Sequence, residues 1–336
     1  MTDVPRRQPT LEEVAARAGV SRSAASRVLN DAPHVSRAKR EAVQRAIREL
    51  DYVPNTTARA LATRQKGVAA LVISGETPSI FADPFFAKVI VGVSAALEEA
   101  DLNLMLCLAA ADRGRRRLEK LLRAGDVDGV MLMAVRENDP VLHIAQETEL
   151  PVVFGGRPVD FDPPWFVDVD NVGGARQATE HLLALGRRRV AMICGTMDTQ
   201  VSRARHRGYR EAMMLAGLEP LTPESGDFNE PSGALAMAEL LKRHPDVDAV
   251  FAANDNMAAG ALRTLRGAGR AVPRDVAIAG FDDLDIAQIV EPSLTTVHQP
   301  IQALGHEMAR MLVGLVAGEK PSPLILPTRL VTRSST

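Results

Sequence analysis

Two rhythms of apolar and polar positions divide the chain. In the first, Thr10 and Glu13 have capping-box spacing, and Leu11, Val14, Ala15 and Ala18 follow as the apolar stripe of a short helix. Gly19-Val20 breaks that stripe, and Ser21 stands where it caps a second helix over 21–28. After a turn at Asn30-Asp31-Ala32-Pro33, Ser36 stands where it caps a third helix carrying Ala42, Val43, Ala46, Ile47 and Leu50. Two short helices joined at a glycine, with a third to complete the core, predict a helix-turn-helix. Many small bundles share that joint, so the pattern alone does not assign a role.

The second rhythm starts at residue 68. Continuous apolar runs recur at 68–73, 104–108, 130–133, 152–154, 190–194, 250–253 and 276–280, separated by helical patterns such as Phe86, Val89, Ile90, Val93 and Leu97. Buried strands alternating with amphipathic helices predict parallel sheets covered on both faces. Seven or more such strands suggest two lobes. Between the two regimes Pro54 stops the chain and Asn55 caps a brief helix over 56–62, too short to stand alone in water. By composition that segment reads as an interdomain linker.

Composition sharpens this division. With 336 residues, 46% hydrophobic and 24% charged, the chain is an ordinary globular protein of more than one domain. Its formal charge of −2 conceals an asymmetry, because residues 1–66 hold 13 Lys+Arg against 7 Asp+Glu (+6), leaving −8 on the rest. A basic head on an acidic body points toward nucleic acid. Cys107 and Cys194 lie in apolar runs without metal-ligand spacing, which argues against a disulfide framework or zinc site and fits a reducing compartment. No apolar stretch is long enough to span a bilayer, and the N-terminus lacks the apolar core of a secretion signal, so a cytoplasmic location is expected.

Ligands of open α/β sheets bind beyond the carboxyl ends of the strands. Those ends lead here to Asp83-Pro84-Phe85-Phe86, Gly155-Gly156-Arg157, Gly195-Thr196-Met197-Asp198 with Arg205 in the next helix, Gly226-Asp227-Phe228, Asn254-Asp255 and Asp282-Asp283. Aromatic faces gathered with carboxylates, an amide and an arginine suit a polyhydroxylated ligand. Each member also has a plainer reading. Asp255 or Asp283 can be a helix N-cap, Asp83 a turn residue, Phe85 a core residue, and Arg205 the partner of a surface carboxylate.

Catalytic motifs do not assemble. His306-Glu307-Met308-Ala309-Arg310 lacks the second histidine of a zinc protease, and Gly267-Ala268-Gly269 has Val272 in place of the third glycine of a dinucleotide fingerprint. The basic runs at 115–117 and 187–189 read as solvated faces. A binding protein is expected rather than an enzyme, with no cofactor and no metal.

These residues together resemble the lactose-repressor (LacI/GalR) family of bacterial transcription regulators. In the head the resemblance is carried by Thr10-Leu11-Glu12-Glu13-Val14-Ala15, Gly19-Val20-Ser21, Ser26-Arg27-Val28-Leu29-Asn30, Val35-Ser36, Arg40 and Tyr52-Val53-Pro54-Asn55. Ala58 and Leu61-Ala62 match the family's hinge helix. The body contributes Asp83-Pro84-Phe85-Phe86, Asn254-Asp255, Val272-Pro273-Arg274-Asp275-Val276, Gly280-Phe281-Asp282-Asp283 and Leu294-Thr295-Thr296-Val297.

The resemblance implies an α/β protein with a small all-α helix-turn-helix head. A hinge helix joins the head to a two-lobed, periplasmic-binding-protein-like body of parallel sheets. The implied divisions are a DNA-binding domain over 1–54, a hinge over 55–64 and an effector-binding, dimerising domain over 65–336. Within that domain, one lobe takes 65–168 plus 298–328 and the other 169–297 plus 329–336.

It further implies a homodimer on a palindromic DNA operator, as helix-turn-helix dimers read two-fold sites. Arg22, Ser23 and Arg27 would face base edges, the arginines suited to bidentate contact with guanine. Thr10, Ser21, Ser26 and Asn30 would serve the same interface, with Thr10 and Asn30 on phosphates. Asn55 and Ala58 would belong to the hinge, and Leu61 would wedge into the minor groove. The effector would meet Phe85, Phe86, Arg205, Phe228, Asn254 and Asp282.

Gly155-Gly156-Arg157-Pro158 departs from the family's usual aspartate and, with the Asp168–Gln177 segment, is most similar to actinobacterial repressors that sense cellobiose and related β-glucosides. Gly155 and Gly156 would leave room for a second sugar ring. A monosaccharide, a sugar phosphate or a purine remains an alternative effector, as does activation in place of repression. A sugar-binding receptor without a DNA role is the distant alternative. No leucine heptad follows Leu330, so a dimer is expected rather than a tetramer.

Overall fold

A computed structural model describes residues 9–29, 35–52, 66–74, 81–109 and 111–336. Asn30, Asn55, Ala58, Leu61 and the hinge segment lie outside the described residues. The chain divides into two compact units, one up to Gly67 and one over Val68–Thr336.

In the first unit, helix α1 (Leu11–Ala18) opens on the expected capping box, with Thr10 Oγ1 accepting from the Glu13 amide at 3.3 Å and Glu13 Oε2 accepting from the Thr10 amide at 2.7 Å. Gly19 closes it with φ +67°, a conformation that costs glycine nothing. Helix α2 (Arg22–Leu29) begins where Ser21 Oγ accepts from the Ala24 amide at 3.3 Å. Ser36 precedes helix α3 (Arg37–Leu50) but makes no side-chain cap bond, contrary to the sequence reading. Val14, Ala15, Ala25, Val28, Val43, Ala46 and Tyr52 form a shared core, which each helix can bury only against the others.

The second unit contains two sheets among the described residues. The first runs β11-β5-β4-β3-β1-β2, from β1 (Val68–Ile73), β2 (Asn103–Leu108), β3 (Gly129–Met133), β4 (Val152–Gly155), β5 (Phe166–Val169) and β11 (Leu324–Leu326), all parallel. The second runs β12-β10-β9-β8-β6-β7, from β6 (Val190–Cys194), β7 (Glu224–Ser225), β8 (Ala249–Ala252), β9 (Ala277–Asp282), β10 (Thr295–His298) and β12 (Arg329–Val331). Only the β12 pairing is antiparallel there. Central strands such as Val190–Cys194 are buried along their whole length, as helices on both faces require.

The helices are α4 (Pro84–Glu99), α5 (Asp112–Ala124), α6 (Pro140–Glu147), α7 (Asn171–Ala184), α8 (Gln200–Leu215), α9 (Glu230–Arg243), α10 (Asp255–Gly267), α11 (Ile286–Ile289) and α12 (Ile301–Val316). The chain passes between the lobes after β5 into α7, after β10 into α12, and between β11 and β12. The site therefore lies where crossing segments and strand ends meet.

Close helix packing fixes each lobe. A Cβ on Gly92 of α4 would stand 1.9 Å from the Gln302 carbonyl oxygen of α12, and one on Gly305 of α12 would stand 2.2 Å from that of Val89. Neither backbone can yield without separating the helices, so Gly92→Ala is expected to destabilise the protein by about 1–3 kcal/mol. Gly267, near the end of α10, has open space around its would-be Cβ. Gly267→Ala should instead stabilise by about 0.5–1 kcal/mol. Urea unfolding of both variants checks the opposite signs.

Candidate functional site

In the body, most strand-end candidates converge. Asp83 caps α4, its Oδ1 accepting from the Phe85 amide at 3.0 Å, with Pro84 in the first turn. Phe85 and Phe86 follow, ring centroids 5.3 Å apart and nearly perpendicular, and both pack partly against the first-lobe core. Across from them, Asn254 caps α10 through Oδ1, which accepts from the Met257 amide at 2.9 Å, while its Nδ2 donates to the Phe228 carbonyl at 2.9 Å. Phe228 has φ +58°, and its ring leaves no space for a Cβ on Gly195, whose place would be 2.1 Å from Cζ. Asn256 Nδ2 donates to the Phe228 carbonyl at 3.3 Å and to Asp83 Oδ1 at 3.4 Å, joining the two lobes.

Arg205 is the centre of the set. Its side chain is 4% exposed, and Nη1 lies 3.1 Å from Asp282 Oδ1. Nη1 also donates to the Ala253 carbonyl, Nε donates to Asn171 Oδ1 at 2.9 Å, and the guanidinium stacks 3.6 Å above the Phe281 ring. The surface-partner reading of Arg205 is therefore replaced by a buried pair. Asp282 Oδ1 also accepts from Gln299 Nε2 at 2.5 Å. Asn171 Nδ2 donates to Asp168 Oδ1 at 3.0 Å, and Asp168 Oδ2 is 3.2 Å from Arg157 Nε. A continuous polar chain thus runs from Arg157 to Gln299.

Several carboxylates share this one buried cation. Burial raises the pKa of Asp83 and of Asp168, the latter against Arg157. It takes Asp282 to about 7, with Arg205 pulling down and Asp83 pushing up. Burial, reinforced by Asp282, carries Asp255 well above the carboxylate range. Asp255 is not a cap but the first residue of α10, held by Thr296 Oγ1 at 2.6 Å and the Leu284 amide at 2.8 Å. Asp283 is not a helix cap either, since α11 starts after Asp285.

Among the described residues, the bonds named above do not use Arg205 Nη2, Asp282 Oδ2 or the second Asn254 Nδ2 hydrogen. Such a set can accept from and donate to adjacent hydroxyls. Around it, Arg136 Nη1 meets Asp198 Oδ2 at 3.0 Å and its Nη2 meets Asp227 Oδ1 at 3.3 Å, while Arg203 Nη2 meets Glu137 Oε2 and Lys88 Nζ meets Asp285 Oδ1 at 2.6 and 2.8 Å. These pairs join the lobes at exposed positions, where each contributes only about 0–1 kcal/mol.

The packing alters the reading of Gly155 but leaves that of Gly156 as it was. A Cβ on Gly155 would collide with the Met133 and Met308 side chains at 2.6 Å, so this glycine makes room for the core and not for a ligand. Gly156, at φ +78°, has open space. Trp165 packs against the first-lobe core and its carbonyl accepts from the Phe154 amide at 3.0 Å.

Sequence reasoning missed Asn171, Asn256 and Gln299. Asn171 stood inside a quoted motif, and Asn256 lay two residues beyond Asn254, in the first turn of α10. Gln299 follows β10, whose Thr295-Thr296 start hid the strand.

On the head, Arg22, Ser23 and Arg27 lie exposed on one helix, opposite buried Ala25 and Val28. Arg22 Nε rests 2.5 Å from Glu12 Oε1 in an exposed pair. Ser21 Oγ lies 3.1 Å from Ser23 Oγ, Ser26 is half-buried, and Thr10 is committed to its capping box.

Residues 10–55 match the model for bacterial regulatory proteins of the lacI family, and residues 179–336 match that for a periplasmic binding protein-like domain. The chain is 47% identical over 336 residues to the HTH-type transcriptional regulator CelR of Thermobifida fusca, covering 98% of this chain and 99% of that one. A solved CelR–cellobiose complex superposes with a TM-score of 0.78 at 45% identity, covering 98% and 100% of the two chains. The lac repressor dimer bound to operator and the anti-inducer ONPF gives a TM-score of 0.87 at 27% identity, covering 98% and 99%. Two domain matches in order and full-length similarity to known regulators place this chain in the lacI family of bacterial regulatory proteins.

Proposed function

We propose that this protein is a cytoplasmic transcriptional repressor, not an enzyme, that binds a palindromic DNA operator as a homodimer. Its operator affinity is set by a small sugar held between the lobes, and cellobiose or a related β-glucoside is the first candidate. The observation that carries this reading is the buried Arg205–Asp282 pair, flanked by Asn254 and Phe228 and faced by Phe85 and Phe86. A solved CelR structure that is 45% identical to this chain is a complex with cellobiose. We adopt the limits 1–54 for the DNA-binding domain, 55–64 for the hinge and 65–336 for the sensor.

In this reading a vicinal diol accepts from Arg205 Nη2 and Asn254 Nδ2 and donates to Asp282 Oδ2, while the phenylalanine rings cover the apolar face of the sugar. The ligand touches both lobes. It therefore changes their relative position through differential contacts, and linkage makes operator and sugar affinities reciprocal. On the head, Arg22 exchanges its Glu12 partner for a base edge, which costs little because that pair is exposed. Arg27, Ser21, Ser23, Ser26 and Thr10 complete the described part of the interface, and Asn30, Asn55, Ala58 and Leu61 are assigned to it from the sequence.

Calorimetric titration with cellobiose, glucose, ribose, a sugar phosphate and a purine tests the effector. Heat from cellobiose is expected, weakened roughly tenfold or more in Asp282→Asn. Silence from every glucoside together with purine or sugar-phosphate binding contradicts it. The pH dependence has a definite sign. Hydroxyl donation favours ionised Asp282, whose pKa is raised to about 7. Below that pH, binding must expel a proton, so affinity should fall by up to about tenfold per pH unit. Mobility shifts on palindromic DNA should weaken steeply with salt, and a salt-independent affinity contradicts the DNA assignment.

A further inference from the structure

Asp282 and Asp283 are consecutive non-glycine residues with φ +103° and +56°. Backbone in this region is costly for an L-residue and persists only where surrounding contacts over-determine it. Three successive residues here have three different anchors. Asp282 is held by Arg205 and Gln299. The Leu284 amide bonds Asp255, and the Leu284 side chain is fully buried in the core of the first lobe. Between them, Asp283 is gripped by Arg333, beyond β12, and by His298 of β10. Arg333 Nη2 donates to its Oδ1 at 2.6 Å, and His298 Nδ1 lies 3.0 Å from its Oδ2.

The gripping arm is itself fixed. Arg333 Nη1 donates to the Leu294 carbonyl at 2.9 Å, and its amide donates to Thr295 Oγ1 at 2.8 Å. Ser335, fully buried, exchanges bonds with Ile278 at 2.9 and 2.6 Å, accepts from the Thr295 amide at 2.8 Å and donates its own amide to the Ser293 carbonyl at 3.0 Å. Thr336 Oγ1 lies 2.7 Å from Thr295 Oγ1 and 2.9 Å from His181 Nε2. Ile278 belongs to the same strand as Asp282 and Thr295 to its neighbour, so the arm holds both strands whose ends form the site.

We propose that Arg333, acting with His298 through Asp283, is a positioning residue for the sugar-binding carboxylate of Asp282. The proposal rests on the reading of Asp282 as an effector contact. The arm touches no ligand. It fixes the strained pair of residues so that Asp282 stays against Arg205 with Oδ2 available.

Releasing Asp283 lets the Asp282 carboxylate drift from Arg205, while Asp83 and Asp255, the other carboxylates facing it, remain. Its ionisation then becomes harder. The test is calorimetric titration of the full chain with cellobiose from pH 6 to 8, in wild type, Arg333→Gln and Asp283→Asn, with operator mobility shifts without sugar alongside. The expected result is a loss of roughly tenfold in cellobiose affinity, an upward shift of the pH midpoint and unchanged sugar-free operator affinity.

Asp283→Asn is nearly isosteric and tests the same contact should Arg333→Gln fail to fold. If wild type binds cellobiose and both variants match it in affinity and pH midpoint, the positioning role is overturned alone. Equal losses of operator and sugar binding also overturn it, by marking the arm as merely structural. If wild type itself binds no sugar, the reading beneath it fails and takes the proposal with it.

Discussion

A guanidinium removed from water needs acceptors to offset its lost hydration, and the burial of Arg205 is the constraint around which the sensor is organised. Its partners come from separate parts of the chain: Asn171 at the start of α7, Ala253 after β8, Asp282 at the end of β9, and the ring of Phe281. One of these follows a chain crossing directly, and another is tied to a crossing through Gln299. Asn171 follows the crossing from β5, and Gln299, which shares Asp282 Oδ1, sits on the crossing from β10 into α12. The polar chain continues through Asp168 to Arg157 in the first lobe. One ion pair thus lies at the centre of a network anchored in both lobes.

Such a pair is a poor way to gain stability. The desolvation of two charges consumes most of their attraction, and apolar residues of similar size often do as well or better. The surroundings here add to that cost, since Asp83, Asp168 and Asp255 all have carboxyl groups pushed upward by burial. Asp282 also adopts a backbone conformation unfavourable to its chirality. Destabilising choices concentrated at one place, beside a lobe core of apolar side chains at 0–5% exposure, are what a binding site requires and a structural core does not.

The sequence made the centre of the site legible because long apolar runs marked the central strands, and Asn254 and Asp282 follow two of them directly. Arg205 became visible once the strand before it was placed. Strands outside that pattern were not readable. β5 carries Asp168, β10 opens on two threonines, β12 opens on an arginine, and β11, though apolar throughout, is only three residues long. Missing β10 hid Gln299, and although the resemblance placed 329–336 in the second lobe, the short strand β12 went unread and Arg333 after it drew no attention. Gly155 shows the other limit. Its composition suggested space in the cleft, whereas the packing of Met133 and Met308 assigns that space to the core. Pattern reveals which side of a strand is apolar but not which neighbour fills the gap.

The account holds that the Arg205–Asp282 pair is kept for ligand binding and not for stability. Unfolding and cellobiose titration of Arg205→Met, Asp282→Asn and the double variant test this together. Arg205→Met should lose about 3–5 kcal/mol by leaving Asp282 buried without its cation. The double variant should recover much of that stability while cellobiose binding stays lost. A double variant that retains wild-type cellobiose affinity, or an Arg205→Met protein as stable as wild type, would contradict the account.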